Sequence, residues 1–218
     1  MIFSSKDFEK LRKTMVETQI KRRGVSEKKV LNAMLKVERH LFISEKEIDN
    51  AYADNPIPIG EGQTISQPYI VAYMTELLQI NSDSKVLEVG TGCGYQTAIL
   101  AEIAKKVYSI ELIELLSERA KKILEQLDYK NISLKTGDAY QGWEEYAPFD
   151  AIIVTCSPTH IPKKLEEQLA ESGRIIIPVG ERFSQEMLIL KKEKGVIIKE
   201  RTISVRFVPM KDGNGGNY

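Results

Sequence analysis

Residues 86–95, Val86-Leu87-Glu88-Val89-Gly90-Thr91-Gly92-Cys93-Gly94-Tyr95, pass from an apolar run into a glycine-rich turn and out into a helix-forming segment. Gly90, Gly92 and Gly94 let the main chain come close to a ligand, and a helix start offers unpaired N–H donors, so the turn suits a nucleotide-like group. The spacing is GxGxG; the third glycine of a dinucleotide fingerprint would fall at Tyr95. Glu111 ends the second apolar run, 111 − 90 = 21 residues after Gly90, where a carboxylate can accept from both hydroxyls of a ribose. Gly137-Asp138 ends the third run. Each feature alone has a local alternative: a tight turn for the glycines, a first-turn carboxylate for Glu111, a turn or cap for Asp138. Together, at three successive strand ends, they point to one adenosine ligand.

A second group lies upstream. In Gly62-Gln63-Thr64-Ile65-Ser66-Gln67-Pro68, Ser66 reads as a helix N-cap and Pro68 as a first-turn residue, so free N–H groups and a helix dipole would face the preceding loop and favour an anion. That loop, 50–67, contains Pro56, Pro58, Gly60 and Gly62 and cannot continue a helix. His160 reads as part of a helix entrance and His40 as a helix-end residue, so neither is a candidate base. Glu88, inside the first strand, has two open roles: a structural carboxylate bonded to backbone N–H groups, or a cofactor contact. Cys93 and Cys156 form no CxxC pair, and with two histidines they make no zinc set. If the first and fourth strands are neighbours, both thiols reach one carboxyl edge, as two small buried residues or as a redox-sensitive pair.

The elements that must position these residues follow from periodicity. Apolar runs at 85–89, 106–110, 131–136, 149–155 and 173–179 alternate with helical segments at 95–104, 114–127 and 162–170, which predicts an α/β, doubly wound, mostly parallel sheet. Residues 186–190 and 196–208, joined by a turn at Gly195, predict an antiparallel C-terminal edge. Upstream, 7–21 places Phe8, Leu11, Met15 and Ile20 near one helical face, and a second helix opens at Ser26. The expected organisation is 1–80 as N-terminal helices and substrate loop packed on the core, 81–210 as the cofactor-binding core, and 211–218 as a flexible tail. At 218 residues, 31 Lys+Arg and 31 Asp+Glu, the chain can bury a core without disulfides and has no global field to draw nucleic acid or an anionic membrane. No apolar run is long enough to span a bilayer, and the first residues lack the order of a secretion signal, so a cytoplasmic monomer is expected.

At this point the chain resembles the class I S-adenosylmethionine-dependent methyltransferases, whose GxGxG turn, acidic second-strand end and third-strand Asp occupy these places. Gly62-Gln63-Thr64-Ile65-Ser66-Gln67-Pro68, Leu87 to Thr97, Phe149-Asp150-Ala151-Ile152-Ile153-Val154-Thr155, Gly173-Arg174-Ile175-Ile176-Ile177-Pro178-Val179-Gly180 and Arg206-Phe207-Val208-Pro209 narrow it to a resemblance, over 15–209, to the protein-L-isoaspartate O-methyltransferases. The resemblance implies a Rossmann-like methyltransferase fold, S-adenosyl-L-methionine as cofactor and damaged, isoaspartyl-containing proteins and peptides as partners. It implies methyl transfer to the free α-carboxylate, giving an ester that closes to a succinimide and returns some Asp. It marks Ser66 as catalytic; Gln63, Thr64, Ile65, Gly90, Thr91, Gly92, Gly94, Glu111, Gly137, Asp138 and Ala139 as cofactor-binding; and Ser66, Val208 and Pro209 as substrate-binding, with no metal. Where many relatives carry small alanines after the fourth strand, this chain has Cys156-Ser157. The alternatives are a class I methyltransferase acting on another carboxylate or small molecule, a nicotinamide oxidoreductase, an RNA methyltransferase, or a noncatalytic module.

Overall fold

The computed structural model describes residues 5–181, 184–213 and 216. Its centre is a seven-stranded sheet built from β3 (Lys85–Val89), β4 (Lys106–Glu111), β5 (Ile132–Thr136), β6 (Phe149–Val154), β7 (Leu169–Glu181), β8 (Ser184–Glu193) and β9 (Val196–Val205). The strand order is β5-β4-β3-β6-β7-β8-β9. The five strands from β5 to β7 run parallel and the last two pairings are antiparallel. The order reverses beside β3, and the carboxyl ends of β3, β4 and β6 open a crevice at that switch point, where open α/β sheets bind ligands.

The central parallel strands β3, β4 and β6 are mostly apolar and buried because both faces are covered, while edge strand β5 is only partly buried. On one face lie α1 (Ser5–Met15), α2 (Lys28–Lys36), α3 (Pro68–Leu78) and α4 (Tyr95–Ala101), whose Met15, Met34, Met74 and Ile99 share a buried cluster with Val86, Val107 and Ile153 of the sheet. α5 (Glu114–Gln126) adds Leu124 to that cluster. On the other face, α6 (Lys163–Glu167) and two short 3-10 turns cover Leu87, Ile152 and Ile175. The N-terminal helices therefore share one core with the sheet. Among the described residues no helix is long and apolar enough to cross a membrane.

Four local expectations change. The buried stripe of α1 takes in Arg12 and leaves Leu11 exposed, because the Arg12 guanidinium donates to Glu38 Oε1 at 3.0 Å and reaches the Tyr52 hydroxyl at 3.4 Å. After Met15 the helix widens into a π-turn, Val16–Ile20, and stops at Gly24 with φ +100°. The segment expected to be a helix at 162–170 keeps only Lys163–Glu167, since Leu169 already pairs with Phe149 as the start of β7. Much of the loop at 50–67 is a hairpin: β1 (Ile57–Gly60) pairs antiparallel with β2 (Gln63–Ile65), with Ile57 opposite Ile65 and both side chains in the core. Its turn has Glu61 and Gly62 at positive φ, as a tight hairpin requires. Of the tail at 211–218, residues 214, 215, 217 and 218 lie outside the described residues, while Asp212 N–H donates to the Gly216 carbonyl at 2.8 Å.

Candidate active site

The crevice at the switch point is one cavity with three walls. Its floor is the end of β3 and the turn that follows. Gly90 N–H donates to the Ile110 carbonyl at 2.8 Å, and Gly94 N–H closes the turn onto the Thr91 carbonyl at 2.9 Å. All three glycines have positive φ, yet they serve different needs. A Cβ on Gly90 would lie 2.4 Å from Thr155 Oγ1, and one on Gly94 would press Ala120 and Leu124 of α5 at 3.3 Å, whereas one on Gly92 would meet only the tip of Ile59 at 3.4 Å. Gly90 thus permits the close approach of two strand ends, Gly94 permits helix packing, and Gly92 keeps the wall thin toward the cavity.

Glu111, at the end of β4, forms the side wall. Its Oε2 accepts from Gly92 N–H at 2.8 Å and its Oε1 from Ile113 N–H at 3.0 Å, so both oxygens are aimed and the turn is tied to the neighbouring strand. Burial raises its pKa above the ordinary carboxylate value, and the N–H bonds from Ile113 and Gly92 work against that rise.

The roof is the hairpin and the start of α3. Gln63, Thr64, Ile65 and Ser66 line the same cavity as Gly90, Thr91 and Gly92. The base of this roof is held by Gln67 Nε2 donating to the Asp54 carbonyl at 3.0 Å, and by Arg23, which pairs with Asp54 at 2.8 Å and lies 3.5 Å over the Tyr69 ring. Ser66 is not the helix cap expected from its sequence context. Gln67 holds that position without a side-chain cap bond, Pro68 begins α3, and the Ser66 hydroxyl has no hydrogen-bond partner among the described residues. Pro68 supplies no N–H, so the geometry leaves the serine facing the cavity instead of folding it back on the helix.

The third wall is stitched on from the C-terminal segment. Ser157 N–H donates to the Val208 carbonyl at 2.9 Å and Met210 N–H to the Ser157 carbonyl at 2.8 Å, placing Val208 and Pro209 along the cavity, followed by Met210 and Lys211. Lys211, assigned by sequence to the tail, is part of this wall.

The family model described as Protein-L-isoaspartate(D-aspartate) O-methyltransferase matches residues 10–215. The chain belongs to that family. Curated relatives include the protein-L-isoaspartate O-methyltransferase of Geobacter metallireducens, 52% identical over 94% of this chain and 95% of the relative. The one from Dictyoglomus turgidum is 49% identical over 98% and 96%. Among solved structures, a protein-L-isoaspartate O-methyltransferase superposes with a TM-score of 0.83 at 29% identity, covering 95% of this chain and 67% of that one. A Plasmodium falciparum protein described as a protein-L-isoaspartate O-methyltransferase, in complex with S-adenosyl-L-homocysteine, superposes with a TM-score of 0.79 at 30% identity, covering 94% and 98%. The class I methyltransferase architecture is shared with these structures.

The cavity brings together Gln63, Thr64, Ile65, Ser66, Gly90, Thr91, Gly92, Glu111, Ala139, Val208 and Pro209. Gly94, Gly137 and Asp138 do not line it. Gly94 is turned toward α5, and Asp138 accepts from Tyr140 N–H at 2.9 Å, capping the 3-10 turn that carries Ala139. Sequence reasoning missed Thr155, whose hydroxyl donates to the carbonyls of Gly90 at 2.6 Å and Val89 at 3.0 Å, and also Gln96, Ile113 and Met210. His40 is stacked on Phe8 at 4.0 Å with Nδ1 2.8 Å from the Tyr52 hydroxyl, and His160 lies 3.4 Å from the Tyr140 hydroxyl; neither lines the cavity.

Both thiols do line it, as strand adjacency predicts, and both are unpaired. Cys93 is buried, and burial pushes it up to about 11; Cys156 retains some exposure, yet its sulfur sits deep enough that burial pushes it up to about 12. Because the thiolate is the reactive species, burial that raises both thiols disfavours their reaction near neutral pH. At pH 8, a disulfide reagent added to the native protein is expected to modify neither within minutes, and both after denaturation. Rapid reaction of either native thiol would show that the cavity activates them.

Proposed function

We propose that the chain transfers a methyl group from S-adenosyl-L-methionine to the free α-carboxylate of L-isoaspartyl residues in damaged proteins and peptides, as a repair methyltransferase. The observation that carries this reading, beside family membership, is the single cavity in which an aimed Glu111 and the Gly90–Gly92 turn face Ser66 and Val208-Pro209. The residues fit the cofactor. Glu111 retains lone pairs for two ribose hydroxyls after bonding Gly92 and Ile113, Gly92 lets the main chain meet a flat ligand, and the apolar Ile110, Leu112 and Ile113 flank the place of an adenine ring.

The bound cofactor supplies an electrophilic methyl group on a sulfonium. An isoaspartyl carboxylate is ionised near pH 7, so no side chain has to remove a proton, and neither histidine is required. The residues instead align one carboxylate oxygen and exclude water. Ser66, with its free hydroxyl at the roof, donates to that carboxylate; Gln63, Thr64 and Ile65 close the passage between cofactor and peptide; and Val208-Pro209 guide the peptide main chain. Asp138 and Gly137 act from behind Ala139 by shaping the wall.

The experiment uses methyl-labelled S-adenosylmethionine and twin peptides that differ only in Asp versus isoAsp. Base-labile label on the isoAsp peptide alone is the expected result, with Ser66→Ala lowering kcat/KM about 100-fold while cofactor affinity stays unchanged. Labelling of neither peptide by a protein that binds the cofactor would redirect the activity to another carboxylate or a small molecule.

A further inference from the structure

The proposed mechanism leaves several buried titratable groups unused, among them Arg39, Tyr95 and Glu88. Glu88, in the middle of β3, is completely buried and does not line the cavity. Its Oε2 accepts from Thr97 Oγ1 of α4 at 2.5 Å and lies 2.6 Å from Ser109 Oγ of β4, while Oε1 is buried without a partner among the described residues. Ser109 Oγ is in turn 2.6 Å from Thr91 Oγ1, and either oxygen of that pair can be the donor. Thr91 lines the cavity. A chain of hydroxyls therefore runs from a carboxyl in the core to the wall of the cofactor site, and the backbone N–H partners expected for Glu88 are absent from it.

Such a chain has two consistent donor orders. With the carboxyl protonated on Oε2, Glu88 donates to Ser109, Ser109 to Thr91, and Thr91 into the cavity. With the carboxylate ionised, Thr91 donates to Ser109, Ser109 to Glu88, and Thr91 offers the cavity a lone pair. Thr97 donates to Oε2 in both. The charged and titratable groups acting here are Glu111 from β4, which disfavours ionisation, and the neutral thiol of Cys93 from the turn; β6 presents Ile153 opposite. Burial pushes Glu88 up to about 8, with the bonds from Ser109 and Thr97 opposing the rise, so both orders are accessible near neutral pH.

We infer that Glu88 is a positioning residue that couples cofactor binding to the loss of one proton, the cationic cofactor selecting the ionised carboxylate and the acceptor face of Thr91. This rests on S-adenosylmethionine being the ligand of the cavity. The proton on Glu88 Oε2 passes to Ser109 Oγ as the Ser109 proton passes to Thr91 Oγ1 and the Thr91 proton to water, so one carboxyl becomes one carboxylate and one solvated proton. S-adenosylhomocysteine, the product, has lost the sulfonium charge that favours the ionised state. The coupling therefore separates cofactor from product by charge.

The test is calorimetric titration of the full chain with S-adenosylmethionine in buffers of different ionisation enthalpy, together with Kd measured from pH 6.5 to 9. Wild type is expected to release protons on binding and to bind about tenfold more tightly at pH 9 than at pH 6.5, for a titration one pH unit lower in the complex. Glu88→Gln should lose both effects; the ligand's own amino group titrates alike in both proteins, so their difference isolates Glu88. S-adenosylhomocysteine should show a smaller difference between the two proteins. Ser109→Ala, which keeps the carboxyl but removes a hydroxyl that stabilises its ionised form and links it to Thr91, should shrink the linkage and serves if Glu88→Gln does not fold. Identical proton release and pH profiles in wild type and either variant would overturn the inference. Failure of wild type to bind S-adenosylmethionine at any pH would overturn the functional reading with it.

Discussion

Gly90→Ala is expected to abolish cofactor binding and to lower the melting temperature by roughly 4–20 °C. Two costs combine. The φ of +93° holds the residue where an L side chain is strained, at about 1–2 kcal/mol. The added Cβ would lie 2.4 Å from Thr155 Oγ1, and relieving such overpacking costs about 1–3 kcal/mol. Thr155 cannot simply rotate away, because its hydroxyl bonds the Gly90 and Val89 carbonyls and its N–H donates to Val89 at 2.9 Å. The strand ends must separate, and that moves the floor on which the ligand lies. For a chain of this size each kcal/mol corresponds to about 2–4 °C. Gly92→Ala is the control: at φ +54° it carries backbone strain of about 1–2 kcal/mol, but its new Cβ meets only the tip of Ile59 at 3.4 Å, so it should lose less stability than Gly90→Ala while weakening the cofactor. A Gly90→Ala protein that melts like wild type and binds S-adenosylmethionine normally would remove the close-approach argument.

The contrast between these glycines shows where sequence reading reaches and where it stops. GxGxG announces a turn near a ligand, but only the tertiary neighbours Thr155, Ile59 and Ala120 assign each glycine its task. The central parallel strands were legible because burial on both faces makes them mostly apolar. The hairpin at 57–65 was not, since its prolines and glycines are loop chemistry and its pairing depends on Ile57 and Ile65 meeting in the core. Glu111 could be placed at its strand end by spacing from the glycine turn, and toward the ligand only together with that turn and the third strand end. Ser66 was placed in the right neighbourhood with the wrong local role, because Ser-x-Pro resembles a capped start whether or not the serine caps. Thr155 closes a quoted strand motif with nothing to mark it as a site residue, and Lys211 carries no motif signal; they join the cavity through β6 and through the stitched C-terminal segment. The Glu88 network was hidden for the same reason, its members being separated by 9 and 21 residues in the chain and joined only by strand pairing and helix packing.

Glu111→Ala should raise the Kd for S-adenosylmethionine by about 100-fold to 1000-fold and change the melting temperature much less than Gly90→Ala. A carboxylate accepting from two ribose hydroxyls makes two charge-assisted bonds, each contributing about 1.5–3 kcal/mol. The lower half of the summed range already gives two to three orders of magnitude in affinity. The substitution also frees the N–H groups of Gly92 and Ile113, which Glu111 now satisfies at 2.8 and 3.0 Å; both residues line the cavity, so water can replace the lost acceptor and folding is spared much of the cost. Glu111→Gln separates the two tasks. The amide keeps one acceptor oxygen but turns a donor toward a backbone N–H, so it should bind the cofactor more weakly than wild type without the gain in space that alanine creates. At saturating cofactor, kcat for an isoaspartyl peptide should remain within about tenfold of wild type, because the proposed roles give the ribose to Glu111 and the acceptor carboxylate to Ser66. A Glu111→Ala protein whose Kd stays within threefold of wild type would show that the carboxylate only braces the turn, and the ribose would then have to be held by backbone groups of the floor.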